Sequence, residues 1–347
     1  MSSGPSSAPD RSRIVCFGEL LMRLSAPGRE HLLQSPRLQV HFGGAEANVA
    51  VSLAILGHHS CIVSTLPDNT IGRACLGELR RHGVDTTGIR FVDGRMGLYF
   101  LSLGAMQRPS AVLYDRSGSA FACAPADAYD WPGLLAGAGW LHVSGITPAL
   151  GDAAAQSALA AVRAAREVGA RVSFDCNYRG KVWSARAAQA PPMLRALAAE
   201  ADLLFANDRD LALILGMDYP QADAGDRFGA AAEAAFAAWP KLGRMATIER
   251  RQRSVDDQEI VGLLADAGSV HVSRVHALSG IIDRIGTGDA FAAGLLHGFE
   301  RGMDAAASLD VAVAAACLKH SMPGDVNLAG EGDIQAFLSD AGFEVRR

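Results

Sequence analysis

Asp283-Arg-Ile-Gly286-Thr-Gly288-Asp289-Ala-Phe-Ala-Ala-Gly-Leu-Leu-His-Gly298 is the stretch around which the chain is organised. Two glycines bracket a threonine, and an aspartate follows where a small, apolar, helix-forming run starts. Phe291, Leu295 and Phe299 recur every four residues, so one face of that helix is apolar. A Gly-rich turn opening a helix presents free backbone N–H groups and the positive end of the helix dipole, which suits an anion. A carboxylate placed there either caps the helix or does chemistry. On these residues alone the two readings stand level, because Gly-x-Gly is a weak signal.

Far upstream, His41-Phe-Gly43-Gly44-Ala-Glu-Ala-Asn48 feeds a second helix that Gly57 closes. It is the other place where backbone can approach a ligand closely. Between the two turns the chain alternates. Short apolar runs predict strands at Ile14–Gly18, Cys61–Thr65, Trp140–Ser144, Arg171–Asp175 and Asp202–Phe205, then at Met245–Ile248, Val261–Ala265 and Val270–Val275. Helical patterns fall at Ile71–His82, Asp152–Val168, Pro192–Ala199, Asp208–Leu215 and Arg227–Trp239, then at Ala290–Arg301, Ala305–His320 and near Ile334–Asp340. Repeated βα units with short loops imply an α/β fold: a doubly wound, mostly parallel sheet with helices on both faces. Ligands then gather beyond the carboxyl ends of the strands. Residues 89–123 break the alternation with hairpin strands around Phe91, Tyr99–Leu101 and Val112–Tyr114 and no helix. Together with about 20–42, where Glu30–Phe42 is irregular, they are expected to form a small β-sheet lid. Residues 1–13, rich in Ser, Pro and Arg, read as a disordered tail, and 14–347 as one domain.

Bulk composition excludes several classes. Of 347 residues, 49% are apolar and 20% charged, with a net charge of −5. That is ordinary globular composition, and a mildly acidic chain with few aromatics gives no support to a nucleic-acid partner. No apolar stretch approaches the roughly 20 residues that span a bilayer, so no membrane partner is expected. The six cysteines are widely spaced and read as free thiols, which points to the cytoplasm. There is no P-loop, no Gly-x-Ser-x-Gly elbow and no His-Glu-x-x-His, and His58-His59 reads as a solvated turn pair. The Gly286–Asp289 turn lacks the third glycine of a dinucleotide fingerprint, which leaves an NAD-dependent oxidoreductase little support.

Taken together, Gly43-Gly44 with Asn48 and Gly286–Asp289 resemble the two signatures of the ribokinase-like (PfkB-type) carbohydrate kinases, in the family's order and at its usual separation. Three further segments are similar to the 2-keto-3-deoxygluconate kinases of that family: Asp175-Cys-Asn177-Tyr-Arg179-Gly-Lys-Val-Trp183, Tyr114-Asp-Arg116-Ser-Gly-Ser-Ala, and Leu318–Asp325 with its Pro-Gly-Asp. The resemblance implies an ATP-dependent kinase that phosphorylates the terminal hydroxyl of a sugar acid, 2-keto-3-deoxygluconate or its galactonate epimer. Asp289 would accept the hydroxyl proton, and the N–H groups of Gly286, Thr287 and Gly288 would form the anion hole. Gly43, Gly44 and Asn48 would lie under the sugar, with Tyr99, Tyr114, Arg116, Asn177, Arg179 and Asp325 around it. Two arginines in one pocket suit a carboxylate, because guanidinium groups bind it in a fork.

Two departures from the family pattern bear on ATP. Asn207-Asp208-Arg209-Asp210 stands where the family often has Asn-x-x-Glu, so Asn207 and Asp210 would meet Mg2+ through water. Thr247-Ile-Glu-Arg-Arg251-Gln-Arg253-Ser254-Val-Asp-Asp257 lacks the family's Gly-x-x-Gly, so Asn207, Arg251, Arg253 and Ser254 would join Gly286 and Gly288 on ATP. Potassium is a further candidate ion, and a dimer through the lid is expected from its open edges. A kinase of a neutral sugar such as fructose or ribose, and a silent nucleotide- or sugar-binding protein, are the alternatives.

Overall fold

The structure, a computed structural model, describes residues 13–266 and 268–339. The tail expected over 1–13 lies outside the described residues except for Arg13, which opens the first strand. Asp340, the last residue of the expected final helix, is likewise outside them.

Fourteen strands are present among the described residues: β1 (Arg13–Phe17), β2 (Leu21–Ser25), β3 (Gln39–Gly43), β4 (Ser60–Pro67), β5 (Ile89–Val92), β6 (Gly97–Ser102), β7 (Ala111–Asp115), β8 (Ala138–Ser144), β9 (Arg171–Asp175), β10 (Leu203–Phe205), β11 (Arg244–Gln252), β12 (Gln258–Asp266), β13 (Ser269–Val272) and β14 (His276–Leu278). The main sheet runs β13-β12-β11-β10-β9-β8-β1-β4-β5, with β14 also on β12. From β11 to β5 every pairing is parallel; β12 then pairs antiparallel with β11, β13 and β14. The first strand lies inside the sheet because it is apolar on both faces. Val15 and Phe17 join a core with Leu141, Val143, Phe174 and helices Asp152–Glu167 and Ala190–Ala198. Ile14 and Cys16 join another with Ile62, Phe205 and helices Ala45–Ile55, Thr287–Glu300 and Ala305–Lys319. A strand buried on both sides needs helices on both sides, as the repeated βα pattern predicted. The chain leaves β1 towards β4 and later returns to its other side at β8. The carboxyl end of β1 is therefore the topological switch point, where a ligand crevice opens.

A second sheet of order β3-β2-β6-β7 stands beside this switch point. It corresponds to the expected lid, with two differences. β5, placed by sequence in the lid, extends the edge of the main sheet by pairing with β4 from Ser64–Ile89 to Pro67–Val92. The irregular stretch ends at Gln39, where β3 finds a partner in β2. The strand expected to stop at Ile248 also runs on to Gln252, because β12 folds back on it from Met245–Ala265 to Gln252–Gln258.

All six cysteines are free and all but Cys123 are buried. His58 is not a solvated turn residue: its Nε2 lies 2.9 Å from Nδ1 of His297, and burial lowers its pKa. No helix among the described residues is long and apolar enough to cross a membrane.

Candidate active site

A cleft of about 660 Å³ opens beyond the carboxyl ends of the parallel strands, reached by Glu19, Ile146, Asp175 and Asn207 on one side and by the Gly286 turn on the other. The helix that this turn opens begins at Thr287, and its N-cap is Gly286 in the left-handed region (φ 79°), with no side-chain capping bond. Glycine is required there: a Cβ would fall 1.8 Å from the carbonyl oxygen of Asp325. Asp289 is thus not a cap. Its Oδ2 accepts from Nδ2 of Asn48 at 2.7 Å, while Oδ1 of Asn48 accepts from the Gly44 N–H at 3.3 Å. The two turns that lie 241 residues apart in sequence meet through one carboxylate.

The environment of Asp289 changes its chemistry. Burial in the cleft wall pushes its pKa up to about 7, with Glu46 nearby adding to the shift and the Asn48 bond and Arg179 opposing it. Asp175, at the end of β9, is pushed up to about 8 by burial and by Asp289. A carboxylate titrating near 7 is suited to take a proton from a hydroxyl.

Around the turn lie three arginines: Arg179, Arg250 and Arg284. None of them forms an ion pair among the described residues. Nη2 of Arg250 donates to Thr287 Oγ1 at 3.2 Å. Although Arg250 as a residue is exposed, its guanidinium lies in the cleft wall, where desolvation and repulsion from Arg284 and Arg179 lower its pKa to about 10. Arg179 stands on a loop that leaves β9 with an Asx turn, in which the Asn177 N–H donates to Asp175 Oδ1 at 3.0 Å. Trp183, fully buried, anchors that loop by donating from Nε1 to the Gly145 carbonyl at 3.1 Å.

Arg116 is placed differently. It leaves the end of β7 and lies 5.7 Å from the Tyr114 ring centre, and its Nε donates at 2.7 Å to Oε2 of Glu19. Glu19 is buried at the end of β1 and also accepts from Ser119 Oγ. No local sequence pattern marks Glu19, because its partner is 97 residues away.

Tyr99 and Asp325 line the cleft but belong to a buried ionic cluster. Arg23 donates from Nη1 to Asp325 Oδ1 at 2.9 Å and from Nη2 to Asp283 Oδ2 at 2.6 Å, and the Tyr99 hydroxyl donates to Asp325 Oδ2. Burial disfavours the Arg23 charge, but the two carboxylates outweigh it and raise its pKa. Lys319, fully buried, donates to the Met322 carbonyl beside them. Arg23 carries one sequence signal: with Leu21 and Ser25 it occupies the inward face of β2 at period two. Gly43 stands behind the cleft, where a Cβ would sit 2.4 Å from Asp325 Oδ2; Gly44 faces it, and a Cβ there would meet the Glu19 carbonyl at 2.2 Å.

Residues expected at ATP divide. Asn207 and Asp210 line the cleft and form a reciprocal capping box: Asp210 N–H to Asn207 Oδ1 at 3.0 Å, Asn207 N–H to Asp210 Oδ2 at 3.1 Å. Arg251, Arg253 and Ser254 are not among the lining residues. Arg250 and Arg251 are both exposed residues, but their side chains leave opposite faces of the pleat and only that of Arg250 lines the cleft. Arg253 pairs with Glu259, and Ser254 closes the β11–β12 turn by accepting from the Asp256 and Asp257 N–H groups at 3.1 Å each. Among the described residues no group of three or more His, Cys, Asp or Glu side chains is arranged to hold a metal ion.

A doubly wound sheet, a small second sheet at its switch point, and a carboxylate beside a glycine anion nest suit a phosphotransferase acting on a hydroxyl. The comparisons with known proteins narrow the class. The description "pfkB family carbohydrate kinase" matches residues 11–329. A 2-dehydro-3-deoxygalactonokinase of Haloferax volcanii is 32% identical over 96% of this chain and 99% of its own. A 2-dehydro-3-deoxygluconokinase of Thermoproteus tenax is 28% identical over 93% of each. The crystal structure of a 2-dehydro-3-deoxygluconokinase from Thermotoga maritima superposes with a TM-score of 0.90 at 36% identity, covering 94% of this chain and 99% of that one. The chain belongs to the pfkB family of carbohydrate kinases.

Proposed function

We propose that this enzyme transfers the terminal phosphoryl group of ATP to the terminal hydroxyl of 2-keto-3-deoxygluconate (2-dehydro-3-deoxygluconate) or its galactonate epimer. The observation that carries the reading is the placement of Asp289, which is bonded to Asn48 rather than to its own helix and faces the glycine turn. The relatives named for these two sugar acids support the choice of acceptor. Asp289 takes the hydroxyl proton as the acceptor oxygen attacks, and the N–H groups of Gly286, Thr287 and Gly288, aided by the helix dipole, hold the charge on the phosphoryl oxygens. Arg179 and Arg116 hold the sugar carboxylate, with Tyr114 and Asn177 beside them. Tyr99 and Asp325 shape the wall from their cluster.

The residues fit Mg2+ as the nucleotide carries it. Asp210 has one oxygen free of the capping bond, and burial raises the pKa of both Asp175 and Asp210 although Arg179 opposes the shift. This ion is commonly held by one or two carboxylates together with phosphates and water, and when bound it neutralises phosphate charge. Release of ADP in a coupled assay on the two sugar acids, beside fructose, ribose and adenosine, tests the assignment. A preference for a neutral sugar would remove it. Running the assay in sodium and in potassium salts reads any potassium requirement.

One observation favours the second reading, a neutral-sugar kinase: Glu19 already neutralises Arg116. We also propose a dimer through the smaller sheet, supported by the exposed Val40 on β3 and Leu113 on β7. A monomeric mass in light scattering would exclude it.

A further inference from the structure

Arg250 occupies a position that neither the glycine signatures nor the capping residues account for. Residues 244–257 lack glycines, and instead of looping over the cleft the chain runs there as β11 to Gln252, paired with β12. Extension of the strand fixes which side chains face inwards, and Arg250 is the arginine of this run that lines the cleft. Its Nη2 reaches Thr287, the central residue of the anion-hole turn. Arg284 lines the same space, and neither it nor Arg250 forms an ion pair with a carboxylate among the described residues. Like charges side by side repel one another, and an anion that bridges them relieves the repulsion. The anion that fits is a polyphosphate, whose charge is multiple and whose oxygens accept in the planes a guanidinium offers.

We infer that Arg250 is a catalytic residue that contacts the phosphoryl group in transfer and supplies the positive charge that a glycine-rich loop does not provide in this chain. The inference rests on the phosphotransferase reading above. As the acceptor oxygen bonds to phosphorus, the bond from phosphorus to the bridging oxygen of ADP breaks, and the hydroxyl proton passes to Asp289. Arg250 exchanges no proton. With one N–H arm on Thr287, its remaining N–H groups face the non-bridging oxygens as charge spreads over them.

The test compares full-length wild type with Arg250→Met, Arg250→Lys and Arg251→Met in the coupled assay on the sugar acid that the wild type turns over fastest. Expected for Arg250→Met is a fall in kcat of about 100- to 1,000-fold with the KM for ATP within about threefold. Arg250→Lys should recover no more than about a tenth of wild-type kcat, because an ammonium cannot hold Thr287 and phosphate at once. Millimolar guanidinium should restore part of the kcat of Arg250→Met. Thermal unfolding of each variant with and without ATP reports the fold independently of turnover. A kcat loss below about threefold, a loss confined to the KM for ATP, or a larger loss in Arg251→Met would overturn the inference while leaving the kinase reading standing. A wild type that releases no ADP with any acceptor would overturn both.

Discussion

The two ends of the cleft are charged in opposite styles. At the lid end, Arg116 is already bonded to buried Glu19, and Arg23 is shared between Asp283 and Asp325. At the turn end, Arg250 and Arg284 line open space and form no ion pair with a carboxylate among the described residues. Paired guanidiniums hold geometry, because each N–H taken by a neighbour fixes the plane of the rest. Unpaired ones hold a potential that an incoming anion relaxes. The difference teaches that the cleft is preorganised where it must recognise a small molecule's shape and left charged where a polyanion arrives.

Loss of the carboxylate that joins the two ends should have the largest effect. Asp289→Asn is expected to lower kcat by at least about 1,000-fold, the upper part of the range for a lost general base, with ATP binding retained in a thermal-shift assay. Survival of turnover would return Asp289 to a structural role. At the lid end the expected effects are smaller. Arg116→Met should raise the KM for the sugar acid by about 10- to 100-fold, as loss of a charge-assisted pair of about 1.5–3 kcal/mol implies, with kcat changed far less. Glu19→Gln keeps an acceptor but frees the arginine's charge, so its shift in KM should be smaller, and the double variant should not add the two effects. Additive effects would break the link between Glu19 and Arg116.

A still smaller effect concerns stability. The pKa of Asp289 is about 7 in the folded protein against 3.8 as its ordinary value, so between those pH values the folded state holds a proton that the unfolded state has lost. Stability from this group therefore falls as pH rises through the interval, and the penalty is complete above about pH 7. Asp289→Asn should gain on the order of 1 kcal/mol at pH 8, after discounting for the open cleft, and nothing at pH 3. Equal gains at both pH values would assign the change to packing instead.

The parallel sheet was readable because each strand is a short apolar run bounded by turns, and β1, apolar on both faces, had to lie inside. Gly286 and Asp289 were readable for a related reason: a left-handed cap under a crowding carbonyl admits only glycine. What the chain order hides is partnership at a distance. Glu19 meets Arg116 across 97 residues and Arg23 meets Asp325 across 302, and no local pattern encodes either pair. Arg250 was hidden by one-residue parity. Whether it or Arg251 faces the cleft depends on how far β11 extends, and that is decided by β12. β5 looked like a hairpin strand for the same reason, since its partner β4 precedes it by an intervening helix.

The central claim is that Arg116, though paired with Glu19, still reads an acidic acceptor together with Arg179. The most direct measurement is the ratio of kcat/KM for 2-keto-3-deoxygluconate to that for the same keto sugar carrying a hydroxymethyl group in place of its carboxylate. A ratio of about 100 or more, the worth of a well-made charged pair, is the result predicted. A ratio near one, or a preference for the neutral sugar, would contradict it.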